Sequence, residues 1–148
     1  MPGIAGAGRL LLALWIVVAP ATAPHAAEAP TLSAFAAEIG LRDVGAFVDA
    51  VERVRRTGRL PPRYVSKREA KAHGWRGGGL CEAWPGHAIG GDVFHNFGGR
   101  LPAAPGRIYR EADLDETCAS RGPKRLIFAN DGLLYVTVDH YNSFARVP

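Results

Sequence analysis

Cysteine is scarce in this chain of 148 residues, which has only two cysteines and no CxxC pair. This scarcity excludes a cysteine-dense scaffold and a zinc knuckle of the CxxC type. The 18 glycines carry no collagen-like period, and hydrophobic residues make up 47% of the chain, which excludes a collagen and a disordered polar chain. A chain of this length typically forms one domain.

The hydrophobic residues are concentrated near the start of the chain. Leu10 to Ala19 is an unbroken apolar run of ten, which follows Arg9 and precedes a stretch of small residues. This pattern is typical of a secretory signal peptide, whereas a transmembrane anchor, the alternative, needs about 20 apolar residues. We therefore predict a signal peptide over residues 1–27, cleaved between residues 23 and 29, and a secreted, extracellular domain over residues 28–148.

The predicted secreted domain is basic. Residues 1–27 contain one of the 18 basic residues and none of the 14 acidic ones, so the domain keeps a net charge of +3. We expect residues 24 to 34 to form a loosely ordered leader and the core of the domain to span about residues 43–148.

Two helices are predicted near the start of this core. An apolar stripe at helical spacing indicates an amphipathic helix over about Asp43–Thr57, with Asp43 as its N-cap. A capping box at Ser66 and Glu69 begins a second helix, which stops at Gly74.

From Trp75 onward, short apolar runs alternate with glycine and proline, a pattern that predicts strands. Asn130-Asp131-Gly132 lies between two of these runs and indicates a hairpin turn. We interpret Gly90-Gly91 as a tight backbone turn. Helices followed by antiparallel strands favour an α+β fold, with the N-terminal helices packed on one face of a twisted antiparallel sheet. The predicted strands lie within residues 107–113, 126–129, 133–138 and 144–147.

Glu111 and His140 are candidates for acid–base chemistry. In a strand, Tyr109, Glu111 and Asp113 share one face, and a carboxylate there can act as a general base. A salt-bridged strand residue is the alternative. His140 follows an apolar strand, and a histidine that titrates near neutrality can donate a proton to a leaving group. An ordinary loop histidine is the alternative.

Arg121, Lys124 and Arg125 form a basic cluster soon after Glu111. Arginine binds phosphate oxygens through two parallel hydrogen bonds, so the cluster favours phosphoryl chemistry, with a solubilising basic loop as the alternative. The histidines show no spacing typical of metal ligands, and we predict no metal site.

Together these features resemble barnase and its relatives, the small secreted bacterial ribonucleases of the guanyl type. The resemblance runs colinearly from Leu60 to Val147, with one short gap near residues 77–79. It is carried by Leu60-Pro61, Tyr64, Lys67, Glu69-Ala70, Gly74-Trp75, Pro85-Gly86, Ile89-Gly90-Gly91-Asp92-Val93-Phe94, Asn96, Gly99-Arg100-Leu101-Pro102, Gly106-Arg107, Arg110-Glu111-Ala112-Asp113, Arg121, Arg125 and Asp139-His140-Tyr141.

The resemblance implies an endoribonuclease that needs neither metal nor cofactor and cleaves single-stranded RNA to a 2′,3′-cyclic phosphate. It implies that Glu111 takes the proton of the ribose 2′-hydroxyl and that His140 protonates the departing 5′-oxygen. It implies that Lys67, Arg121 and Arg125 surround the scissile phosphate. It also implies a monomer with an acidic, barstar-like inhibitor as partner. The alternative is a catalytically weak RNA-binding or antagonist protein on the same scaffold.

The loop around Asn96 departs from the family pattern. Asn96 and Tyr141 match positions in the family's substrate site, but Phe97-Gly98 stand where the pattern has Arg-Glu, whose glutamate hydrogen-bonds guanine. Backbone amides around His95 and Phe97 remain able to read guanine, whereas the Phe97 ring either stacks on a base of any kind or closes the loop. The resemblance therefore leaves guanine preference open.

Cys81 and Cys118 both lie in the predicted secreted domain. An isolated pair in an exported protein typically forms a structural disulfide, which here closes a loop of about 36 residues and adds roughly 3–4 kcal/mol in the chain-entropy model. Two free thiols are the alternative. The bridge would connect the segment after Trp75 to the loop that carries Arg121.

Overall fold

The computed structural model describes residues 1–3 and 30–148, so the predicted cleavage region and all but the first three residues of the predicted signal peptide lie outside the described residues. In the described ranges no helix is both long and apolar enough to cross a membrane. The elements are α1 (Leu32–Glu38), α2 (Val44–Thr57), β1 (Tyr64–Val65), α3 (Lys67–Ala72), β2 (Ala88–Phe94), β3 (Tyr109–Asp113), β4 (Arg125–Ala129), β5 (Leu134–Thr137) and β6 (Ala145–Arg146).

The strands of the described part of the chain form one six-stranded sheet in the order β1-β2-β3-β4-β5-β6. Neighbouring strands pair antiparallel from β2 to β6, while β1 and β2 are parallel. The predicted α+β fold is confirmed, and β1 and β2 are strands that were not predicted.

Two of the helices begin where the sequence predicts. The Asp43 side chain accepts a hydrogen bond from the backbone of Ala46 at 2.9 Å, and α2 ends at Gly58, which has a left-handed φ of 69°. Both halves of the predicted capping box at Ser66 and Glu69 are present at the start of α3. These caps satisfy backbone groups that a helix end leaves without partners.

The expectation of a loosely ordered leader was wrong for residues 32–34, because α1 begins at Leu32. The Thr31 side chain caps this helix by accepting a hydrogen bond from Ala34 at 3.1 Å. The Phe35 ring packs against Phe47 of α2, with 6.0 Å between the ring centroids. This tertiary contact stabilises a helix too short to form alone, and the buried core therefore starts before residue 43.

The helices α1 and α2 cover one face of the sheet. Phe47 and Val51 of α2 are fully buried in the same cluster as Leu126 and Val136 of the sheet. Ala112 of β3 joins this cluster. Since successive residues of a strand point to opposite faces, its neighbours 111 and 113 share the face away from α1 and α2, and the prediction that these two residues share a face is confirmed.

Gly90 and Gly91 lie inside β2, so the prediction of a tight turn was wrong. The register between β2 and β3 shifts between Gly90 and Val93, and Gly91 has a φ of 98°, which together mark a β-bulge. A Cβ atom at Gly90 would come within 2.7 Å of the Tyr64 ring. Glycine at this position lets the Tyr64 side chain of β1 approach closely. In the sequence alone, a glycine required by such a tertiary contact looks the same as a glycine required by a turn.

Cys81 and Cys118 form a disulfide, as predicted, with their Cα atoms 5.1 Å apart. The backbones around the bridge are also in close contact, because a Cβ atom at Gly79 would clash with the Thr117 carbonyl oxygen. The bridge therefore holds the segment before residue 81 against the loop that leads to Arg121.

Replacing both cysteines by serine is expected to lower the free energy of unfolding by about 3–4 kcal/mol, because the unfolded chain gains freedom when the cross-link is lost. Urea unfolding monitored by tryptophan fluorescence measures the change. Unmodified protein in excess reductant is the control and should show the same loss. Equal stability of the oxidised and reduced protein would contradict a stabilising role for the bridge.

Candidate active site

Glu111 lies in the middle of β3, on the sheet face opposite the helices, and is 7% exposed. A buried carboxylate needs hydrogen-bond partners, and each oxygen has one. Lys67 Nζ donates to Oε1 at 2.9 Å, and the Tyr141 hydroxyl donates to Oε2 at 2.7 Å. The fold thus brings together three residues that the sequence separates by up to 74 positions.

The partners of Glu111 keep this side chain ionised. Burial raises the pKa of Glu111, but the hydrogen bonds from Tyr141 and Lys67 and the positive charges of Lys67 and Arg125 lower it by more, so the pKa lies below its ordinary value. Burial and the hydrogen bond to Glu111 raise the pKa of Tyr141 to about 12, so its hydroxyl remains a donor. At neutral pH Glu111 is a carboxylate, the form that a general base requires.

Lys67 is positioned from two elements. It is the first residue of α3, and its backbone N–H donates to Asp92 Oδ2 on β2 at 2.9 Å. Since β2 is the neighbour of β3, this anchor places the lysine side chain beside Glu111. The Lys67 side chain is 39% exposed, so its ammonium group is accessible to an anion that approaches the carboxylate.

His140 and Tyr141 lie in a turn after β5 that Asp139 stabilises. The Asp139 carboxylate accepts hydrogen bonds from Ser143, at 2.6 Å from the hydroxyl and 2.9 Å from the backbone, and from Thr137 at 3.0 Å. The bonds from Ser143 are the main reason that the pKa of Asp139 falls to about 2. His140 and Tyr141 both have positive φ, 56° and 70°, a costly conformation for residues other than glycine. The network around Asp139 holds this turn and leaves His140 exposed.

Asp113, two residues beyond Glu111 on β3, holds both of the predicted arginines. Its side chain is fully buried and binds Arg121 through both carboxylate oxygens, at 2.6 and 2.7 Å. Arg125 Nε lies 2.9 Å from Asp113 Oδ1, and Arg125 Nη1 donates to the carbonyl oxygens of residues 121, 122 and 124. Asp113 therefore fixes two cations on the Glu111 face of the sheet.

The two arginines differ in accessibility. The Arg121 side chain is 20% exposed and lines a surface cavity of about 460 Å³ together with His140. The Arg125 side chain is only 4% exposed, and protein groups surround it. The structure thus places Arg121 next to the candidate acid, while Arg125 contributes its charge from inside the protein, and its contact with a phosphate stays a prediction.

A further carboxyl group near this cluster was not anticipated. Burial, and then repulsion from Asp113, raise the pKa of Glu116 to about 7. The buried Oε2 atom of Glu116 has no hydrogen-bond partner among the described residues. Partial protonation at neutral pH weakens the competition of Glu116 with Asp113 for the arginines.

The loop from residue 95 to residue 101 is closed by Asn96. The Asn96 side chain donates to the Leu101 carbonyl at 2.8 Å and accepts from the Leu101 N–H at 3.1 Å. Arg100 Nη1 donates to the Asn142 carbonyl at 2.8 Å, which connects this loop to the turn that carries His140. Asn96, predicted to bind substrate, therefore uses its amide group to shape the loop.

His95 and Phe97 form an aromatic pair on the same loop. Their rings stack with 5.1 Å between the centroids and 14° between the planes, and Phe97 is 94% exposed. Both residues line a cavity of about 410 Å³ that Glu111 and Tyr141 also line. Five of the predicted site residues, including Asn96, therefore meet at one cavity.

Sequence reasoning assigned no role to Asp113, Asp92 or Asp139. Strand alternation placed Asp113 on the Glu111 face, but periodicity carries no information about its partner in a distant loop. Asp92 and Asp139 matched the family pattern, which identified the positions without their contacts.

Within residues 1–3 and 30–148, no group of three or more His, Cys, Asp and Glu side chains is arranged to hold a metal ion.

The family model and the relatives that match this chain are all described as ribonucleases. A family model described as ribonuclease matches residues 49–148. A ribonuclease from Heyndrickxia coagulans is 50% identical over 91 residues, which cover 60% of this chain and 84% of that protein. Ribonucleases from Bacillus intermedius and Bacillus pumilus are each 48% identical over 91 residues, which cover 60% of this chain and 56% of each of those proteins.

The substitution Asp113→Asn is expected to lower the free energy of unfolding by about 3–5 kcal/mol, because it removes the carboxylate that pairs with the buried Arg125 and the partly buried Arg121. Urea unfolding at neutral pH measures this loss. The matched control is Asp131→Asn, which removes the partner of Arg107 at a site where the aspartate is 41% exposed. Its effect should be much smaller, and equal losses in the two variants would contradict the importance of burial.

Proposed function

The chain belongs to the ribonuclease family and is an endoribonuclease, and we propose that it cleaves single-stranded RNA without a metal, leaving a 2′,3′-cyclic phosphate. The observation that carries this proposal is the ionised Glu111, held between Lys67 and Tyr141. A carboxylate in contact with an accessible cation is suited to take a proton beside a phosphate group.

In the proposed reaction, RNA supplies its own nucleophile. Glu111 accepts the proton of the ribose 2′-hydroxyl while that oxygen attacks the adjacent phosphorus. The bond from phosphorus to the 5′-oxygen of the next nucleotide breaks, and the His140 imidazolium gives a proton to the departing oxygen. His140 is exposed, and its turn is connected by a hydrogen bond to the loop from residue 95 to residue 101, which supports its assignment as the acid.

Lys67 and Arg121 supply the positive charge that the transition state requires. Negative charge develops on the nonbridging phosphate oxygens, and fixed cations stabilise it without reorganisation. Arg121 is held in a fixed orientation by both oxygens of Asp113 and lines a cavity with His140. We propose that Arg125, which is buried, contributes to the positive electrostatic potential of the site.

We propose further that the protein is exported through the signal peptide over residues 1–27 and acts as a secreted monomer. The apolar run from Leu10 to Ala19 supports export. The accessible cations around Glu111 would also fit the side chains of an acidic, barstar-like inhibitor. Native mass measurement of the exported protein tests signal-peptide cleavage and the monomeric state. Titration with an acidic candidate inhibitor tests the proposed partner.

Incubation of single-stranded RNA with the protein in excess chelator tests the reaction. We expect cleavage, fragments that end in a 2′,3′-cyclic phosphate, and no cleavage of DNA of the same sequence, since DNA lacks the attacking hydroxyl. Loss of cleavage in chelator would overturn the metal-independent mechanism. Binding of RNA without cleavage would favour a catalytically weak RNA-binding protein instead.

Substitutions of the two catalytic candidates refine this test. Glu111→Gln and His140→Gln should each lower kcat/KM by about 100- to 10,000-fold, the usual contribution of a general base or acid. The control Glu52→Gln changes an exposed carboxyl on α2, on the opposite side of the sheet, and should keep full activity. Full activity in both catalytic variants would refute the assigned roles.

Tyr141→Phe is expected to move the acidic limb of the pH profile of kcat/KM to higher pH. The Tyr141 hydroxyl lowers the pKa of Glu111, so its loss raises that pKa and the base becomes protonated at a higher pH. Tyr135→Phe on β5 is the control and should leave the limb in place. An unchanged limb in Tyr141→Phe would contradict the contribution of this hydrogen bond to the base.

A further inference from the structure

The nucleotide whose 2′-hydroxyl meets Glu111 carries a base, and the shape of the site determines where that base lies. Glu111 lines one cavity of about 410 Å³, whose other walls include His95, Phe97 and Gly98 of the loop from residue 95 to residue 101. A base and the 2′-hydroxyl belong to one nucleoside, so the base enters this cavity. The inference below therefore rests on the proposed ribonuclease reaction.

Apart from His95, whose ring stacks on Phe97, the polar side chains that line this cavity have hydrogen-bond partners. Both polar atoms of the Asn96 amide bond to the Leu101 backbone, and Arg100 Nη1 donates to a carbonyl. Both oxygens of Glu111 accept hydrogen bonds, one of them from the Tyr141 hydroxyl. Among the described residues that line the cavity, Glu111 is the sole carboxylate, so no second acidic side chain faces a base edge.

This donor and acceptor inventory bears directly on the choice of base. Guanine presents N–H donors on its pairing edge and needs an acceptor there to be distinguished from adenine, whose edge combines a donor with an acceptor nitrogen. Strong discrimination arises where a site is built to pair with specific polar groups of one ligand. The cavity has no second carboxylate to serve as that acceptor, and its one side chain outside the hydrogen-bond network is the His95 imidazole, which stacks on Phe97.

The cavity does provide an accessible aromatic surface. Phe97 is 94% exposed, and its ring is held parallel to His95. Phe94 and Tyr141 also line the cavity and stack on each other, with 5.4 Å between the ring centroids. Aromatic rings bind bases through their π-faces, which every base has, and the larger purines offer more surface.

We propose that Phe97, supported by His95, is the base-stacking residue of this site, and that the enzyme cleaves after guanine and adenine at similar rates. Selection then depends on stacking area, so purines are preferred to pyrimidines. Gly98 is the position at which the chain lacks a carboxylate that would separate the two purines.

The structure leaves room to restore such a carboxylate. A Cβ atom at Gly98 would meet only the flexible Arg100 side chain, at 3.7 Å, and Gly98 does not have a positive φ. Gly98→Glu therefore introduces an acceptor without forcing the backbone. Glu111, His140 and Lys67 are unchanged in this variant, so any new selectivity comes from the loop.

The test compares kcat/KM for the four dinucleotides GpA, ApA, CpA and UpA in excess chelator. We expect the values for GpA and ApA to agree within tenfold and to exceed both pyrimidine values, and Gly98→Glu to favour GpA over ApA by at least tenfold. A natural preference for one purine above tenfold, or a Gly98→Glu variant that folds and keeps equal purine rates, would overturn the proposal.

Phe97 variants test the stacking surface separately. Phe97→Ala should lower kcat/KM for both purines by at least about fivefold, and Phe97→Trp should retain the activity. The control Ile108→Ala removes another exposed apolar side chain, 48% exposed, that does not line this cavity, and should change neither value. Equal activity of Phe97→Ala and unmodified protein would overturn the assignment of Phe97.

Failure of the reaction and failure of this inference are distinguishable. If no dinucleotide is cleaved, the proposed function fails, and titration of the Phe97→Ala and unmodified proteins with 3′-GMP and 3′-AMP still measures stacking. Similar affinity for the two nucleotides, and weaker binding of both by the variant, support the inference. A preference above tenfold, or unchanged binding by the variant, refutes it.

Discussion

The buried ion cluster of Asp113 with Arg121 and Arg125 is the interaction on which the organisation of the site depends. Desolvation makes an isolated charge in this position very costly, so the three groups must be placed together. Their pairing connects β3 and β4 to the loop between them. The Cys81–Cys118 bridge restrains the same loop at residue 118. A loop that would otherwise be free to move therefore presents a fixed cation on the same face as Glu111.

The carboxyl groups of this face show how environment assigns chemistry. Glu111 receives hydrogen bonds from Lys67 and Tyr141, and these contacts lower its pKa despite burial. Burial, and then repulsion from Asp113, raise the pKa of Glu116 to about 7, and its Oε2 atom has no hydrogen-bond partner among the described residues. Two glutamates five residues apart thus differ in protonation, because the contacts with Lys67 and Tyr141 outweigh burial at Glu111, whereas burial dominates at Glu116.

Local patterns predicted much of the fold, and long-range contacts explain what they missed. The caps at Asp43 and Ser66 and the alternation in β3 involve residues a few positions apart, so the sequence displays them directly. The pairing of β1 with β2 depends on the close fit of Tyr64 against Gly90. From local sequence alone, the two glycines at residues 90 and 91 indicate a turn. Asp113 was likewise visible as a face residue but not as the partner of Arg121, because that contact exists only once the loop has folded back.

The architecture separates cleavage from base choice. The groups assigned to proton transfer and charge stabilisation come from α3, β3 and the turn after β5, which the sheet and Asp139 hold in place. The groups proposed to face the base lie on one loop, which Asn96 closes onto itself and which the Arg100 side chain connects to that turn by a hydrogen bond to the Asn142 carbonyl. Side chains at residues 97 and 98 can therefore change with little effect on the acid, the base or the cations. With the proposed roles, this independence lets residues 97 and 98 vary while the groups assigned to cleavage are kept.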